Sequence, residues 1–169
     1  LLENVIIQEP DFERLVARIR RAAIVAWRAG NLRGDATLRE LLGAIAHQCF
    51  LAEYLHEERD DESPVVEQLK AGVEAELTAG GPLDEAQTAL FACYRPLATL
   101  QGAGTLPASN ASIAGRLVLR QVREPAQEAG IAARLARLTP ISDEVSLAVQ
   151  AQYEQHPYPR WLRAPATGG

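Results

Sequence analysis

The chain has 169 residues, of which 47% are hydrophobic and 23% are charged, and its formal net charge at pH 7 is −5. This hydrophobic content is typical of a packed helical domain and excludes a generally disordered chain. The acidic balance gives no indication of binding to nucleic acid or to an anionic membrane surface. Because the longest apolar runs are far shorter than about 18 residues, neither a membrane span nor a signal peptide is predicted, and we expect a cytoplasmic protein.

The first two predicted helices cover the N-terminal third of the chain. Asp11 is the predicted N-cap of a helix that runs to Ala29 and stops at Gly30. A longer helix, from about Asp35 to Glu58, carries the most continuous apolar pattern in the sequence. Since apolar residues occupy more than half of its circumference, we expect this second helix to lie at the centre of the fold.

The third and fourth predicted helices follow a run of charged residues. We expect this run, residues 57–62, to be solvated. Pro64 is predicted at the first position of the third helix, where its missing N–H costs nothing. Asp84, or the turn before it, is the predicted start of the fourth helix, which ends near Tyr94.

Shorter helices are predicted in the C-terminal half, separated by proline and glycine. A loop over 101–107 precedes a fifth helix over about 108–122, and Pro125 starts or kinks the next segment. A last helix is predicted over about 142–155. The sequence therefore predicts an all-α fold, an irregular bundle of about six or seven helices, in one domain over residues 1–155.

The residues after this domain have a different composition, rich in proline and aromatic side chains. Because proline cannot continue a helix, we expect an extended linker over 156–169. Its aromatic side chains either pack on the helices of this chain or dock on a following domain. The candidate docking residues are Tyr153, Pro157, Tyr158, Pro159, Arg160 and Trp161.

The same C-terminal residues carry a resemblance. The segment 152–161 resembles the motif Q-Y-E-x-N-P-Y-P-R-W of bacterial proteins that join N-terminal tetratricopeptide repeats to a C-terminal class I S-adenosylmethionine-dependent methyltransferase domain. Three shorter segments resemble the family in the same order: 48–54 its Q-C-F-x-N-E-Y, 94–97 its Y-x-P-L and 121–125 its Q-V-x-E-P. The resemblance covers about residues 10–161. His156 and Ala52 stand where the family usually or often has asparagine.

The resemblance implies a non-catalytic helical accessory domain that positions upstream repeats and a downstream methyltransferase domain, or helps to hold substrate. It places S-adenosylmethionine in the catalytic domain outside this chain. A methyltransferase of that class needs a strand followed by a Gly-rich turn, and the Gly-rich stretch 101–105 has no β-branched run before it. Alternatives are an independent helical module for protein interaction or oligomerisation and, third, a small helical enzyme that uses Glu53 and a histidine.

Ligand-type side chains cluster only around the second helix. His47 and Cys49 are two residues apart and point to different sides of a helix, and His56 lies half a turn away from His47. Zinc needs ligands three or four residues apart on a helix, so no metal site is predicted. We expect instead a core cysteine with two partly exposed histidines, and Cys93 as a second buried free thiol.

Three further residues are weak candidates for chemistry. Glu53, beside an apolar stripe, is either an acid or base with a raised pKa or a partner for an arginine of another helix. Glu124 precedes Pro125 and is expected to satisfy backbone donors where the helix breaks. His156 lies between aromatic residues and could titrate near neutral pH.

Overall fold

The computed structural model describes residues 6–32 and 35–134 of the chain. The chain divides into two compact units, Leu1–Ala129 and Gly130–Gly169. Of the second unit, only residues 130–134 are described, and they form the end of the last helix and the turn after it. The predicted boundary at residue 155 therefore lies outside the described part, and the architecture below is that of the first unit.

Helices form almost the whole of this part, which confirms the all-α prediction. The helices are α1 (Pro10–Arg28), α2 (Ala36–Leu51), α3 (Ser63–Ala79), α4 (Glu85–Ala92), α5 (Ile113–Val118) and α6 (Glu124–Ala132). A π-helical segment, Leu119–Arg123, joins α5 to α6 without a break. Counted as one helix, this run leaves five helices among the described residues, fewer than the six or seven predicted; the predicted helix over 142–155 lies outside them.

Local capping determines where most of these helices begin. The Asp35 carboxylate accepts a hydrogen bond from the Leu38 N–H (2.8 Å), and Asp84 caps α4 in the same way, as predicted. For α1 the predicted cap was wrong, because Glu9 is the N-cap and Pro10 occupies the first helical turn. Asp11 instead lies in the first turn, where the positive end of the helix dipole stabilises its carboxylate.

The second helix is shorter than predicted and ends at Leu51. Glu53 and Tyr54 have left-handed backbones, with φ of 53° and 58°. The Tyr54 N–H donates to the Cys49 carbonyl (2.8 Å) and the Glu53 N–H to the Phe50 carbonyl (3.2 Å). These are the two hydrogen bonds of a Schellman motif, here formed without glycine, and they turn the chain away from the helix axis.

The core is centred on α2, as expected. This helix packs against α4 and α5, while α1 and α3 also pack against α4. Nine residues of α2 are buried, and Leu42 is 0% exposed. Two leucines of the predicted helix are exposed instead of buried: Leu41 is 41% exposed and Leu55 is 86% exposed. Leu55 lies beyond the end of the helix and so leaves the predicted face.

Glycine and serine determine the geometry of the third quarter of the chain. The predicted loop over 101–107 contains a short 3-10 turn, Ala103–Thr105. The fifth helix starts at Ile113, later than predicted, where the Ser112 side chain accepts a hydrogen bond from the Gly115 N–H (3.0 Å). The chain passes so close to Gly115 that a Cβ atom there would collide with the Ser109 backbone. Glu124 and Pro125 are the first two residues of α6. Pro125 therefore lies at a helix start, which is one of its two predicted roles.

Candidate functional site

All six candidate docking residues fall outside the described part of the chain. Of the weak candidates, His156 lies outside it as well. Glu53 lies in the left-handed turn after α2 and is half-buried. Glu124 is the exposed first residue of α6, directly after the π-helical segment. Glu53 and Glu124 therefore lie on different elements, and the described residues do not bring the weak candidates together into one site.

The histidines and cysteines of the second helix have a different environment from the one predicted. Cys49 and Cys93 are buried free thiols, as expected. The prediction for His47 was wrong, because its side chain is only 1% exposed, whereas His56 is half-buried. Over residues 6–32 and 35–134, no three His, Cys, Asp or Glu side chains are grouped so that they could hold a metal ion.

A buried polar cluster, which we call the Arg20 cluster, consists of Arg20, Cys49, Glu62 and Tyr94. Arg20 is 2% exposed, and its guanidinium carbon lies 4.1 Å from the centroid of the Tyr94 ring. The Tyr94 hydroxyl donates a hydrogen bond to Glu62 Oε1 (2.9 Å). Glu62 Oε2 accepts from the backbone N–H of Arg59 (2.8 Å). The cluster thus joins a cation, an aromatic ring and a carboxylate inside the protein.

Glu62 contradicts the prediction that the charged run 57–62 is solvated. Its side chain is buried, with a residue exposure of 5%. Arg21 approaches Glu62 Oε2 at 3.9 Å and binds both carboxylate oxygens of Asp61 at 2.9 Å. Both of these carboxylates are therefore contacted by one arginine of α1, Arg21. The run anchors the chain between α2 and α3 because its carboxylates have specific partners.

Burial dominates the acid–base behaviour of the cluster. It raises the pKa of the Cys49 thiol to about 11, although the nearby charge of Arg20 opposes the rise. Burial also raises the pKa of the Tyr94 hydroxyl, and the hydrogen bond to Glu62 raises it further. The pKa of Cys93 is raised well above its usual value for the same reason. Neither thiol is a nucleophile near neutral pH, since the thiolate is the reactive form.

A second polar contact lies beside the cluster. The Glu58 carboxylate receives two hydrogen bonds from the Arg95 guanidinium, at 2.6 Å and 2.9 Å, and one from the Ser63 hydroxyl at 2.6 Å. Tyr54 contributes to raising the pKa of Arg95, so its side chain is within electrostatic range of this pair. Such bidentate pairing has a fixed geometry and so fixes the segment before α3 relative to the end of α4.

The three internal segments that carry the family resemblance all contribute side chains to the hydrophobic core. Segment 48–54 contributes Cys49, and segment 94–97 contributes the Tyr94 ring. Segment 121–125 contributes Gln121, whose Oε1 accepts a hydrogen bond from the Leu97 N–H (2.9 Å) at a fully buried position. These three side chains lie inside the protein, where they help to hold the helices together.

Comparison of the chain with protein-family models, with curated proteins and with solved structures finds no match. Within the described ranges, no helix is both long enough and apolar enough to cross a membrane.

Sequence reasoning missed Arg20 and Glu62, and only one of them has a signal in the sequence. Arg20 lies four residues after Val16 and four before Ile24, both of which are buried, so it falls on the apolar face of α1. An arginine at the centre of such a face must find an internal partner. Glu62 has no comparable signal, because it is the last of several charged residues in a segment without periodicity.

Proposed function

We propose that the chain is a non-catalytic helical accessory domain of a polypeptide that carries a C-terminal S-adenosylmethionine-dependent methyltransferase domain and upstream tetratricopeptide repeats. The observation that best supports this proposal is that segments 48–54, 94–97 and 121–125 all contribute to one hydrophobic core, through Cys49, Tyr94, Leu97 and Val122. These segments occur in the order of the family motifs, and a shared core is what a shared fold would require.

The polar chemistry of the core favours a scaffold over a catalytic site. Glu58 and Glu62 are held by hydrogen bonds from Arg95 and Tyr94, and the two thiols have raised pKa values. A rigid helical unit of this kind would position the repeats and the catalytic domain relative to each other. The cofactor would bind to the catalytic domain and not to this chain.

The C-terminal segment would provide the joint to that domain. Tyr153, Tyr158 and Trp161 are amphipathic aromatic residues of the kind that dominate binding energy at interfaces. Pro157 and Pro159 restrict the chain and so lower the entropy cost of docking an extended segment. In this proposal the three aromatic side chains pack on the catalytic domain.

Trp161 fluorescence tests the joint. The chain has a second tryptophan, Trp27, whose Nε1 donates to Gln87 Oε1 (2.7 Å), so the comparison uses a Trp27→Phe background. We expect a blue-shifted Trp161 emission in the parent polypeptide relative to the 169-residue chain. Emission that is equally blue-shifted and equally protected from iodide in both proteins would show that Trp161 belongs to this domain's own core.

Calorimetric titration with S-adenosylmethionine tests whether the cofactor binds to the proposed catalytic domain and not to this chain. We expect heat of binding with the parent polypeptide and none with the 169-residue chain. A micromolar dissociation constant for the chain alone would overturn the accessory role. Absence of binding by the parent would remove the link to methyl transfer.

A second candidate function, an independent interaction or oligomerisation module, is favoured by the outer face of α1. Leu15 and Val25 are 49% and 55% exposed, and Ala22 between them is also exposed. Their spacing of seven and three residues puts them on one side of the helix. Sedimentation equilibrium of the chain and of a Leu15→Glu, Val25→Glu variant distinguishes the two functions. Self-association that the variant abolishes would favour the module.

A further inference from the structure

Arg20 differs from the neighbouring arginines because no carboxylate of the described residues accepts a hydrogen bond from its Nε or Nη1. Asp61 is bound by Arg21, and Glu58 by Arg95. Glu62 accepts its hydrogen bonds from Tyr94 and from the Arg59 backbone. The Arg20 Nε and Nη1 atoms are buried and make no hydrogen bond with the described residues.

This arrangement is costly unless something else accepts those hydrogen bonds. The ring of Tyr94 attracts the positive charge of Arg20, but its face accepts no hydrogen bond from Nε or Nη1 at this position. A buried cation with unsatisfied N–H groups is strongly disfavoured, and proteins retain one mainly where a partner or a ligand completes it.

His56 presents a further buried polar atom close to Arg20. Its Nδ1 is buried and has no hydrogen-bond partner among the residues that the structure describes. Burial lowers the pKa of His56, the charge of Arg20 lowers it further, and Glu13 opposes both effects. Arg20 and His56 are therefore within electrostatic range of each other. His56 is half-buried, whereas the Arg20 guanidinium is almost fully buried.

The backbone beside His56 is held in an unusual conformation. Glu53 and Tyr54, two consecutive residues without glycine, are both left-handed. Left-handed backbone is unfavourable for residues other than glycine. Strained backbone of this kind clusters at ligand sites, where the surrounding structure holds it in place. The strain and the unsatisfied polar atoms of Arg20 and His56 thus belong to the same corner of the fold.

We propose that Arg20 and His56 form a binding site for a small oxyanion, a carboxylate or a phosphate group, between α1 and the turn that follows α2. The Arg20 guanidinium would form the buried end of the site and the His56 imidazole its half-buried end. An oxyanion accepts hydrogen bonds from both side chains and satisfies the buried N–H groups of Arg20. This site is independent of the proposed accessory role, since it needs neither the repeats nor the catalytic domain.

Imidazole NMR of the full 169-residue chain tests the site. The protein is titrated separately with sodium acetate, inorganic phosphate and sodium chloride at constant ionic strength. We expect saturable shifts of the His56 signals and a raised His56 pKa with acetate or with phosphate, and no such change with chloride. The more effective of the two anions identifies the chemistry as carboxylate or phosphate. Glu13, the carboxylate that also faces His56, is replaced by Gln in a parallel sample to isolate its contribution.

Matched variants decide whether the binding is specific. His56→Ala is expected to weaken the anion's effect on the melting temperature, equivalent to about a tenfold loss of affinity. Arg18→Ala, which removes an exposed arginine of the same helix, should leave it unchanged. Equal losses in both variants would show nonspecific attraction by surface charge. The absence of any saturable response to acetate and to phosphate would show that an ordered water completes Arg20, and would overturn the proposal.

Discussion

The guanidinium carbon of Arg20 lies 4.1 Å from the centroid of the Tyr94 ring, while the hydroxyl at the far end of that ring donates a 2.9 Å hydrogen bond to Glu62. Arg20 belongs to α1, Tyr94 follows α4, and Glu62 is the N-cap residue of α3. One aromatic side chain therefore connects three helices through two polar contacts. Because all three residues are buried, each contact is shielded from water and competes little with it.

Replacement of Tyr94 by Phe separates these two contacts. The ring remains over Arg20, but Glu62 Oε1 loses its donor at a position that is 5% exposed. A buried acceptor left without a partner costs about 1–3 kcal/mol of unfolding free energy. Urea denaturation followed by circular dichroism measures the loss. In a double-mutant cycle with Glu62→Gln, we expect the two substitutions to be non-additive; strict additivity would show that the hydrogen bond contributes nothing.

Two adjacent leucines of α2 test the position of the core. Leu42 is 0% exposed, so Leu42→Asp places an unpaired carboxylate among apolar side chains and should unfold the domain, at a cost of several kcal/mol. The matched variant Leu41→Asp changes a side chain that is 41% exposed and should cost no more than about 0.5 kcal/mol. Far-UV circular dichroism and thermal melting compare them. Similar melting temperatures for the two variants would contradict the packing described for α2.

The starts of α2 and α4 could be predicted because their signals are local. Asp35 and Asp84 satisfy backbone donors within three residues of themselves, so a short stretch of sequence contains both partners of each contact. The end of α2 could not be predicted in this way. Its Schellman motif uses Glu53 and Tyr54, which have no intrinsic preference for left-handed backbone. Tertiary contacts override the propensity there, so the periodicity of 36–58 gave a helix that is too long.

The Arg20 cluster depends on contacts between residues far apart in sequence. Glu62 and Tyr94 are 32 residues apart. The periodicity of α1 puts Arg20 on an apolar face, but nothing in the sequence specifies which partner meets it. The sequence therefore predicts that a buried cation needs an acceptor, whereas only the structure shows which neighbouring carboxylates are already engaged.

Acid stability should depend on Glu58. The hydrogen bond from Arg95 holds the pKa of Glu58 below its ordinary value of 4.5, and the Ser63 hydroxyl contributes in the same direction. Because the folded protein binds this proton less tightly than the unfolded chain does, the stabilisation is complete above the ordinary pKa and is lost as the pH falls through the lowered one. As the pH falls from about 5 to about 3, the Glu58→Gln variant should therefore lose less stability than the unsubstituted 169-residue chain.

Asp61 provides the comparison for the acid experiment. Its pKa is lowered by the hydrogen bond from Arg21, but the pair lies at the surface. Salt screens exposed pairs more strongly than buried ones. We therefore expect the difference in acid stability between Asp61→Asn and the unsubstituted 169-residue chain to shrink in 1 M salt. The corresponding difference for Glu58→Gln should persist. If both differences vanish in salt, the Glu58–Arg95 pair is no better shielded than a surface pair.

The thiols should be unreactive in the folded protein. Burial raises the pKa of Cys49 to about 11, so roughly one molecule in a thousand carries the thiolate at pH 8. Cys93 is 0% exposed, and its Sγ lies 3.4 Å from the Leu42 carbonyl, to which it donates. Labelling with a disulfide reagent should therefore proceed only through unfolding, and its rate should rise with urea as the unfolded population does. Thr37→Cys, at an exposed position of the same helix as Cys49, supplies the control and should react at once. If Cys49 or Cys93 reacts as fast as the introduced cysteine in the absence of urea, the packing between α2 and α4 opens without global unfolding.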